Sequence, residues 1–410
     1  MNFKKCFNEA LLASKMLVED FTFKCSNRIS PSYFTRSGKM GFKETILFML
    51  NMVNKSLQVE LNKFFEGILK KDEAISKQAF SENRQKIHPK VFIDLNDRIN
   101  KVIYEECREY KLWNGYRLSA IDGTSIELPN TELLRNEFGY AKNQYAEVAV
   151  ARATASCIFD VLNKIVIKSK IGRYKTSERK MAMDLILEMK EDNNSFKELI
   201  LFDRGYPSQE LISELIDRDI CFVMRLKNNI FKKKINSKKQ DQTIELKHKN
   251  KIYTVRIIKF DLESGVEEVL ITNLFDKAMT ESDFKELYFM RWGIEIKYDE
   301  LKNRLEIENF TGTTKIAIEQ DFYASIYLSN MIELARKDSD EIIAVEREGK
   351  ENKYEYKTNL NTLIGSLKDK LIMMFLEENP RKRGRIYKKI MKEAAKSSIL
   401  LNVKLSLIET

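Results

Sequence analysis

The chain has 410 residues, of which 43% are apolar and 32% charged, with only 14 Gly and 5 Pro. This composition excludes a disordered or collagen-like chain and leaves room for two or three helix-rich domains. The net charge of +10 favours a polyanionic partner.

Cysteine, histidine and apolar patterns argue against three other classes. The five cysteines are widely spaced and form no C-x-x-C pair, which indicates free thiols in a reducing cytosol. With two histidines, a zinc site of the usual Cys and His spacing has no ligand set. No run of about 18 apolar residues occurs, so we expect a cytoplasmic protein without a membrane partner.

The first hundred residues are predicted to be helical. Apolar residues recur at helical spacing from Phe42 to Lys70, which predicts one amphipathic helix. The stretch SKQAFSENRQKIHP predicts a short helix that Ser76 caps and that ends before Pro89. The polar face of this short helix is typical either of a DNA recognition helix or of an ordinary solvated surface.

Between about residues 113 and 225 the pattern changes to short β-prone runs. Three strands are predicted first, followed by a helix, a buried strand, a second helix and another strand. This order predicts an α/β fold in which a mixed sheet carries helices on its faces. The segments are RLSAIDGTSIEL, VAVARATASCIFD, VLNKIVIKSKI, SERKMAMDLILEMKE, ELILFD, PSQELISELIDR and ICFVMRL.

Residues 225–260 carry twelve Lys or Arg and only two acidic residues. The run KIYTVRIIKF favours an ordered, β-rich insert, and the alternative is a solvated lysine-rich loop. As an ordered platform, the insert is predicted to bind DNA phosphates through Lys232, Lys233 and Lys234. A further helix begins at about residue 281, and residues 339–410 are predicted to be helical with a basic RKRGR stretch.

The helix near residue 288 carries four polar or charged residues on one face. At 100° per residue, Tyr288, Arg291, Glu295 and Lys302 fall within roughly 60° of each other, beside an apolar stripe. This face is either a working surface or an exposed face on which Arg291 and Glu295 form an i,i+4 ion pair worth about 0.3 kcal/mol.

Two aspartates follow apolar runs that read as buried strands. Asp122 follows LSAI and Asp203 follows LILF, so each lies at a strand carboxyl end, where α/β sheets bind ligands. Each is equally compatible with a simple turn-forming role. Together with Glu295, they form an oxygen-only ligand set that predicts two Mg²⁺ or Mn²⁺ ions. Such a pair of ions can activate water or a 3′-hydroxyl for phosphoryl transfer.

The spacing Y-(2)-R-(3)-E-(6)-K on this helix resembles the signature of DDE transposases from the insertion-sequence-four family of bacterial elements. AIDGTSIELP resembles the block that bears the first aspartate, and LFDRGYPS the block that bears the second. KNQYAEVAVARA, SER and KQAFSENRQKI resemble accompanying blocks. The resemblance extends from about residue 76 to the segment KYEYKTNLNTLIGSLK and so covers most of the chain.

The resemblance implies an RNase H-like catalytic core with a β insertion before the glutamate. It implies that Asp122, Asp203 and Glu295 are the metal ligands. It also implies that the other three signature residues contact DNA phosphates near the cut, namely Tyr288, Arg291 and Lys302.

Some members of the family place a tryptophan in the insertion to hold a flipped base. This chain departs from that pattern, since its only tryptophans are Trp113 and Trp292. A stacking platform in the insert would therefore have to use Phe231, Tyr253 or Phe260. We expect Trp292 to pack in the core, with stacking near the site as the alternative.

The sequence thus predicts a cut-and-paste transposase that binds the terminal inverted repeats of its element, cleaves the ends and joins the 3′-hydroxyls to target DNA. The resemblance further implies that the second strand is cut through a DNA hairpin and that a homodimer pairs two ends. The alternatives are a metal-dependent RNase H-like nuclease without strand transfer and a repurposed protein that only binds DNA.

Five regions are expected along the chain. They are a helical N-terminal DNA-binding region at 1–100, the first part of the RNase H-like core at 101–225, a basic β-rich insertion at 226–278, the remainder of the core with the glutamate helix at 279–338 and a helical C-terminal region at 339–410.

Overall fold

The computed structural model describes residues 6–51, 56–142, 149–191, 196–227, 230–262, 264–348 and 355–400. Half of the predicted block KNQYAEVAVARA (residues 143–148) and the start of KYEYKTNLNTLIGSLK (353–354) lie outside these residues. The chain divides into two compact units. Unit 1 comprises the described parts of Met1–Glu109, Ile126–Ala153 and Asp299–Thr410, and unit 2 those of Tyr110–Ser125 and Thr154–Tyr298.

Helices occur in both units. In chain order, the described helices are α1 Cys6–Glu19, α2 Phe21–Asn27, α3 Phe42–Met49, α4 Leu57–Lys63, α5 Lys77–Arg84, α6 Lys90–Lys101, α7 Glu132–Phe138, α8 Glu178–Glu191, α9 Gln209–Asp217, α10 Glu281–Phe289, α11 Gly293–Asn303, α12 Lys315–Glu346, α13 Leu360–Leu367, α14 Lys370–Leu376 and α15 Pro380–Lys396. None of these helices combines the length and apolar character needed to cross a bilayer.

The strands follow the predicted order closely. They are β1 Tyr116–Glu127, β2 Tyr140–Ala141, β3 Val150–Asp160, β4 Ile165–Arg173, β5 Lys197–Phe202, β6 Cys221–Arg225, β7 Asp241–His248, β8 Lys251–Asp261, β9 Glu267–Thr272, β10 Tyr356–Lys357 and β11 Ile399–Leu400. The predicted strands and helices of this region are present, with α8 and α9 where helices were expected, but the prediction missed α7 and β2, which lie between its first two strands.

Unit 1 is mainly helical, and distant parts of the chain meet in its core. Arg84 of α5 is buried, and its Nε donates a hydrogen bond to Gln320 Oε1 in α12 (2.9 Å). The Tyr327 hydroxyl is 2.9 Å from Ser14 Oγ, and the rings of Phe7 and Tyr387 stack with their centroids 4.5 Å apart. The first and last segments of unit 1 therefore stabilise each other.

The predicted continuous helix from Phe42 to Lys70 is wrong. α3 ends at Met49, α4 begins at Leu57, and a π-helical segment follows at Phe64–Leu69. Asn51 lies beyond the end of α3, and its side-chain amide donates to Asp369 Oδ1 (3.0 Å). The start of α5 agrees with the prediction, because Ser76 Oγ accepts a hydrogen bond from the Ala79 amide.

Most of the mixed sheet belongs to unit 2; its strand order is β2-β3-β1-β5-β6-β9-β8-β7, and β4 also pairs with β3. β1, β5 and β6 run parallel, whereas β6 with β9, β9 with β8 and β8 with β7 are antiparallel. The parallel strands are joined through α8 and α9, as crossover connections require. The predicted α/β fold, a mixed sheet with helices on its faces, is confirmed.

Helices cover both faces of this sheet. On one face, α8 and α9 share an apolar core with the sheet through residues such as Ile158, Ile200 and Phe222. On the other face, Gly293 at the start of α11 lies so close to the end of β3 that a β-carbon there would be 3.2 Å from Val161 Cγ1. This close approach seats the helix that carries Glu295.

The range predicted for the insertion, 226–278, contains β7, β8 and β9, and these strands extend the central sheet beyond β6. In β7, Ile244 and Leu246 are buried while their neighbours reach solvent, the period-2 pattern of a strand with one covered face. The three consecutive lysines lie before β7, in an exposed turn.

Candidate active site

Asp122 and Asp203 lie at the same edge of the sheet. In the parallel register, Ile121 of β1 is opposite Phe202 of β5, which is opposite Met224 of β6. The residues that follow these three are Asp122, Asp203 and Arg225. Because the strands run in the same direction, the two carboxylates and the guanidinium emerge together where the parallel pairing of β1 with β5 ends. β1 itself continues to Glu127, so Asp122 does not lie at the end of its strand as predicted.

The backbone around Asp122 is held by several hydrogen bonds. Its carbonyl oxygen accepts from Ser156 Oγ (3.0 Å) and from the Tyr298 hydroxyl (2.9 Å). Its Oδ1 accepts from the Gly123 amide (2.9 Å). Burial raises the pKa of Asp122 to about 6, an effect that this amide and Arg291 oppose and that Glu178 and Asp203 reinforce. The carboxylate is thus costly to keep ionised without a nearby cation.

Arg291 is a buried cation close to Asp122. Its Nη2 donates to Glu295 Oε1 (2.8 Å), and its Nη1 is 4.0 Å from Asp122 Oδ2. The guanidinium also lies 5.2 Å from the ring centroid of Trp292 and 5.7 Å from that of Tyr288. Within the part of the chain that the structure describes, Arg291 Nε has no hydrogen-bond partner. Arg291 therefore links the glutamate helix to the edge of the sheet electrostatically.

Tyr288 lies beside the second aspartate. Its hydroxyl is 3.5 Å from Asp203 Oδ1, at the long limit of a hydrogen bond. Burial raises the pKa of Tyr288, so the phenol stays protonated at neutral pH and can only donate to the carboxylate. Glu268 of β9 pairs with Arg225, and burial raises the pKa of Glu268. Acidic and basic side chains therefore lie close together at this edge of the sheet.

The four signature residues do not lie on one continuous α-helix, contrary to prediction. α10 ends at Phe289, a 3₁₀ turn spans Met290–Trp292, and α11 begins at Gly293. Gly293, a weak helix former, begins the second helix and packs closely against Val161. The Arg291 to Glu295 contact still forms across the junction.

The remaining predicted DNA contacts lie elsewhere. Lys302 belongs to unit 1, where its Nζ is 3.9 Å from Glu308 Oε1. Lys232, Lys233 and Lys234 are exposed in the turn before β7, and Lys234 Nζ donates to the Glu245 carbonyl oxygen (2.6 Å).

Two of the three aromatic residues considered for base stacking are in the core. Tyr253 and Phe260 are buried, and the Tyr253 hydroxyl donates to Asp217 Oδ2 (2.9 Å). Phe231 is half-buried in the lysine turn. Trp292, expected in the core, is instead 43% exposed beside Arg291. Aromatic surface near the site therefore comes from Trp292.

The donor chemistry of this edge suits a divalent cation. Asp122 and Asp203 offer carboxylate oxygens, and Mg²⁺ is commonly held by one or two carboxylates while it retains water. Among the described residues, no set of three or more Asp, Glu, His or Cys side chains is arranged to hold a metal. In this structure the Glu295 carboxylate accepts a hydrogen bond from Arg291. The role of Glu295 as a metal ligand stays a prediction.

Sequence reasoning did not select Glu178 or Tyr206, which lie near the same edge. The Glu178 carboxylate raises the pKa of Asp122, and the Asp122 carboxylate raises the pKa of Tyr206. The signals that could have found them were the block SER, which contains Glu178, and the block LFDRGYPS, which contains Tyr206.

Known proteins with similar sequences share this region. Residues 113–331 match the model of the transposase DDE domain. Over 248 residues the chain is 23% identical to transposase InsG for insertion sequence element IS4 of Escherichia coli strain K12, covering 56% of this chain and 54% of that one. Over 148 residues it is 28% identical to a probable transposase for insertion sequence element IS5377 of Geobacillus stearothermophilus, covering 33% and 38%.

The alignments thus span between about a third and about a half of these curated relatives. A cryo-EM structure of the piggyBac transposase synaptic complex with hairpin DNA has a TM-score of 0.46 and 11% identity, covering 93% of this chain and 85% of that one. The family match takes in more than half of the chain and includes Asp122, Asp203 and Glu295. The chain belongs to the transposase DDE domain family.

Proposed function

We propose that this chain is a cut-and-paste transposase that binds the terminal inverted repeats of an insertion sequence, cleaves the element ends and joins the 3′-hydroxyls to target DNA. The observation that carries the proposal is the placement of Asp122 and Asp203 side by side where the parallel pairing of β1 with β5 ends, in a chain of the DDE family. Carboxylates in this arrangement suit the divalent metal on which that family depends.

Asp122 and Asp203 would hold the cation, and Glu295 would complete the ligand set. Mg²⁺ or Mn²⁺, as two ions, would supply Lewis-acid activation of the scissile phosphate. The Arg291 to Glu295 ion pair supports a further role for the arginine. If Glu295 exchanges Arg291 for a cation, the guanidinium becomes available to a DNA phosphate, for which its planar donors are well suited.

Other basic residues would engage DNA along its backbone. Tyr288 and Lys302 would contact phosphates near the cut, as the signature implies. The exposed lysines of the turn at 232–234 would add phosphate contacts that do not depend on the DNA sequence. In the N-terminal region, an open cavity of about 1100 Å³ supports DNA binding, because its lining includes Lys24, Arg36, Lys39, Lys43, Lys71 and Lys86.

The remaining parts of the proposal come from the family resemblance. Two protomers would pair two element ends as a homodimer on DNA in the cytoplasm, and the second strand would be cut through a hairpin. The five regions from 1–100 to 339–410 would divide DNA binding, catalysis and the insertion between them.

The test uses plasmid DNA that carries the gene with its own flanking sequence, incubated with the full chain and Mg²⁺. Wild-type protein should nick at the boundaries of the element and join the released 3′-ends to a second plasmid. Asp203→Asn should abolish both reactions and retain DNA binding. Asp261→Asn, an exposed aspartate at the end of β8, is the matched control and should react normally.

Three other results would each reject a different part of the proposal. Boundary cleavage without joining would identify a metal-dependent nuclease. Sequence-selective binding without metal-dependent cleavage would identify a repurposed DNA-binding protein. Unimpaired cleavage by Asp203→Asn would reject the assignment of the site.

A further inference from the structure

The block SER, at residues 177–179, lies where the two aspartates emerge. Ser177 Oγ accepts a hydrogen bond from the Lys180 amide (3.4 Å) at the start of α8. Arg179 Nε donates to the carbonyl oxygen of Gly205 (2.9 Å), two residues after Asp203. The first turn of α8 is therefore tied to the loop that follows the second aspartate.

Glu178, which lies between Ser177 and Arg179 in the chain, packs against the backbone next to Asp122. A β-carbon built on Gly123 would be 3.0 Å from Cγ, Cδ and Oε1 of Glu178. Real β-carbons rarely have neighbours this close, so the Glu178 side chain occupies space that only a glycine leaves open. The carboxylate thus packs on the residue that directly follows Asp122.

Tyr206 supplies a second, independent observation. Its side chain is 1% exposed, and its hydroxyl has no hydrogen-bond partner among the described residues. Burial raises the pKa of Tyr206, and the nearby Asp122 and Glu178 carboxylates raise it further, so the phenol remains protonated. A buried hydroxyl without a partner is costly, which indicates that it bonds to a group outside the chain, such as water.

We propose that Glu178 is a positioning residue of the cation site: with the Tyr206 hydroxyl, its carboxylate binds water that a divalent cation at Asp122 and Asp203 retains. The inference rests on the proposed function. Mg²⁺ loses its water reluctantly, so groups that bind its retained water contribute to its affinity. Outer partners of this kind typically change metal affinity by about 10- to 100-fold.

The experiment measures Mn²⁺ binding to the full chain by titration calorimetry without DNA, so that no catalytic turnover is involved. Glu178→Gln should weaken Mn²⁺ binding by about 10- to 100-fold. Glu178→Asp, which keeps the charge, should recover part of the loss. Glu188→Gln, on the same helix beside Lys170, is the matched control and should bind Mn²⁺ as wild type does.

Gly123→Ala tests the same inference without replacing Glu178. The added methyl should displace the Glu178 side chain and weaken Mn²⁺ binding, and it should have no further effect when combined with Glu178→Gln. The two variants should unfold thermally near the wild-type temperature. Additive losses would show that Gly123 and Glu178 act independently and would overturn the inference.

Asp122→Asn in the same titration separates this inference from the function on which it rests. Loss of Mn²⁺ binding in Asp122→Asn together with wild-type affinity in Glu178→Gln would reject the role of Glu178 alone. Wild-type affinity in both would reject the cation site itself.

Discussion

Arg291 and Glu295 form an ion pair of 2.8 Å in which the arginine side chain is 4% exposed and the glutamate 40% exposed. The arginine is held by its surroundings, whereas the glutamate reaches solvent. Glu295 can therefore turn towards another cation, but the buried guanidinium it leaves needs a replacement anion, because an uncompensated buried charge is strongly destabilising. The pair is thus compatible with both a structural and a catalytic role, and substitution distinguishes them.

Glu295→Gln should abolish metal-dependent cleavage while binding to element-end DNA persists. Glutamine keeps the size and the hydrogen-bond acceptor for Arg291 but removes the charge needed by a metal ligand. Binding and cleavage should be measured on one end-bearing duplex, with Glu286→Gln on α10 as the exposed control. Wild-type cleavage by Glu295→Gln would mean that the ion pair is only structural.

Lys302→Ala should behave differently, because it removes a proposed phosphate contact and leaves the aspartates intact. We expect weaker binding to end DNA, a salt dependence reduced by about one unit in the log-log slope, and partial cleavage at high protein concentration. Binding isotherms at several salt concentrations measure this slope. An unchanged slope would show that Lys302 does not meet a phosphate.

Replacing Lys232, Lys233 and Lys234 with Gln should weaken binding to all DNA sequences equally. Contacts to phosphates carry affinity without sequence information, so the preference for the element end should survive while the salt dependence becomes shallower. The same change of charge at Lys388, Lys389 and Lys392 of α15 is the control for net charge alone. A selective loss of end recognition would instead indicate that the turn reads bases.

Different divalent metals should distinguish the formation of protein–DNA complexes from DNA cleavage. Mg²⁺ and Mn²⁺ should support cleavage, whereas Ca²⁺ should allow DNA complexes to form with little product, because its coordination is larger and less strictly octahedral. Gel-shift and cleavage assays on the same samples report the two steps. Equal cleavage rates with Ca²⁺ would contradict the proposed chemistry.

Stability should depend on a second ion pair on the same strands as the aspartates. Arg117 and Glu198 are opposite each other in β1 and β5, both are buried, and burial raises the pKa of Glu198 despite the arginine. Arg117→Met leaves an unpaired buried acid and should lower the free energy of unfolding by about 3–5 kcal/mol at neutral pH.

The loss of unfolding free energy in Arg117→Met should depend on pH, and the raised pKa of Glu198 sets the direction. Because the charged form is the one destabilised in the folded state, the loss in Arg117→Met should grow as the pH rises from 5 to 8. Denaturant unfolding at both pH values checks this, and Arg117→Met combined with Glu198→Leu should recover most of the stability. A loss independent of pH would assign the effect to packing.

Local patterns were sufficient to predict the sheet and the proximity of the two aspartates. The runs LSAI and LILF are short and apolar and end in acids, and in parallel strands such ends meet at one edge. Prediction failed where distant packing decides the outcome. Neither the break before Gly293 nor its close approach to Val161 is revealed by the helical period.

The aromatic residues of the insert and the role of Glu178 illustrate the same limit. Tyr253 and Phe260 were candidates for stacking, but Tyr253 belongs to the apolar core that the sheet shares with α8 and α9, and Phe260 is also buried. Glu178 lies 55 positions from Gly123, so their contact is a property of the folded sheet and not of either segment.

The three-segment construction of unit 1 sets an order of events on the ribosome. Helices before Glu109 find essential partners in α12 and α15, which belong to a segment that begins 190 positions later, at Asp299. At about 5–20 residues per second, roughly 10 to 40 s of translation separate these segments. During that interval the apolar faces of the early helices are without their final partners, so we expect these faces to be exposed on the nascent chain. The helices around the cavity that we propose for DNA are therefore fully packed only after the whole catalytic sheet has been synthesised.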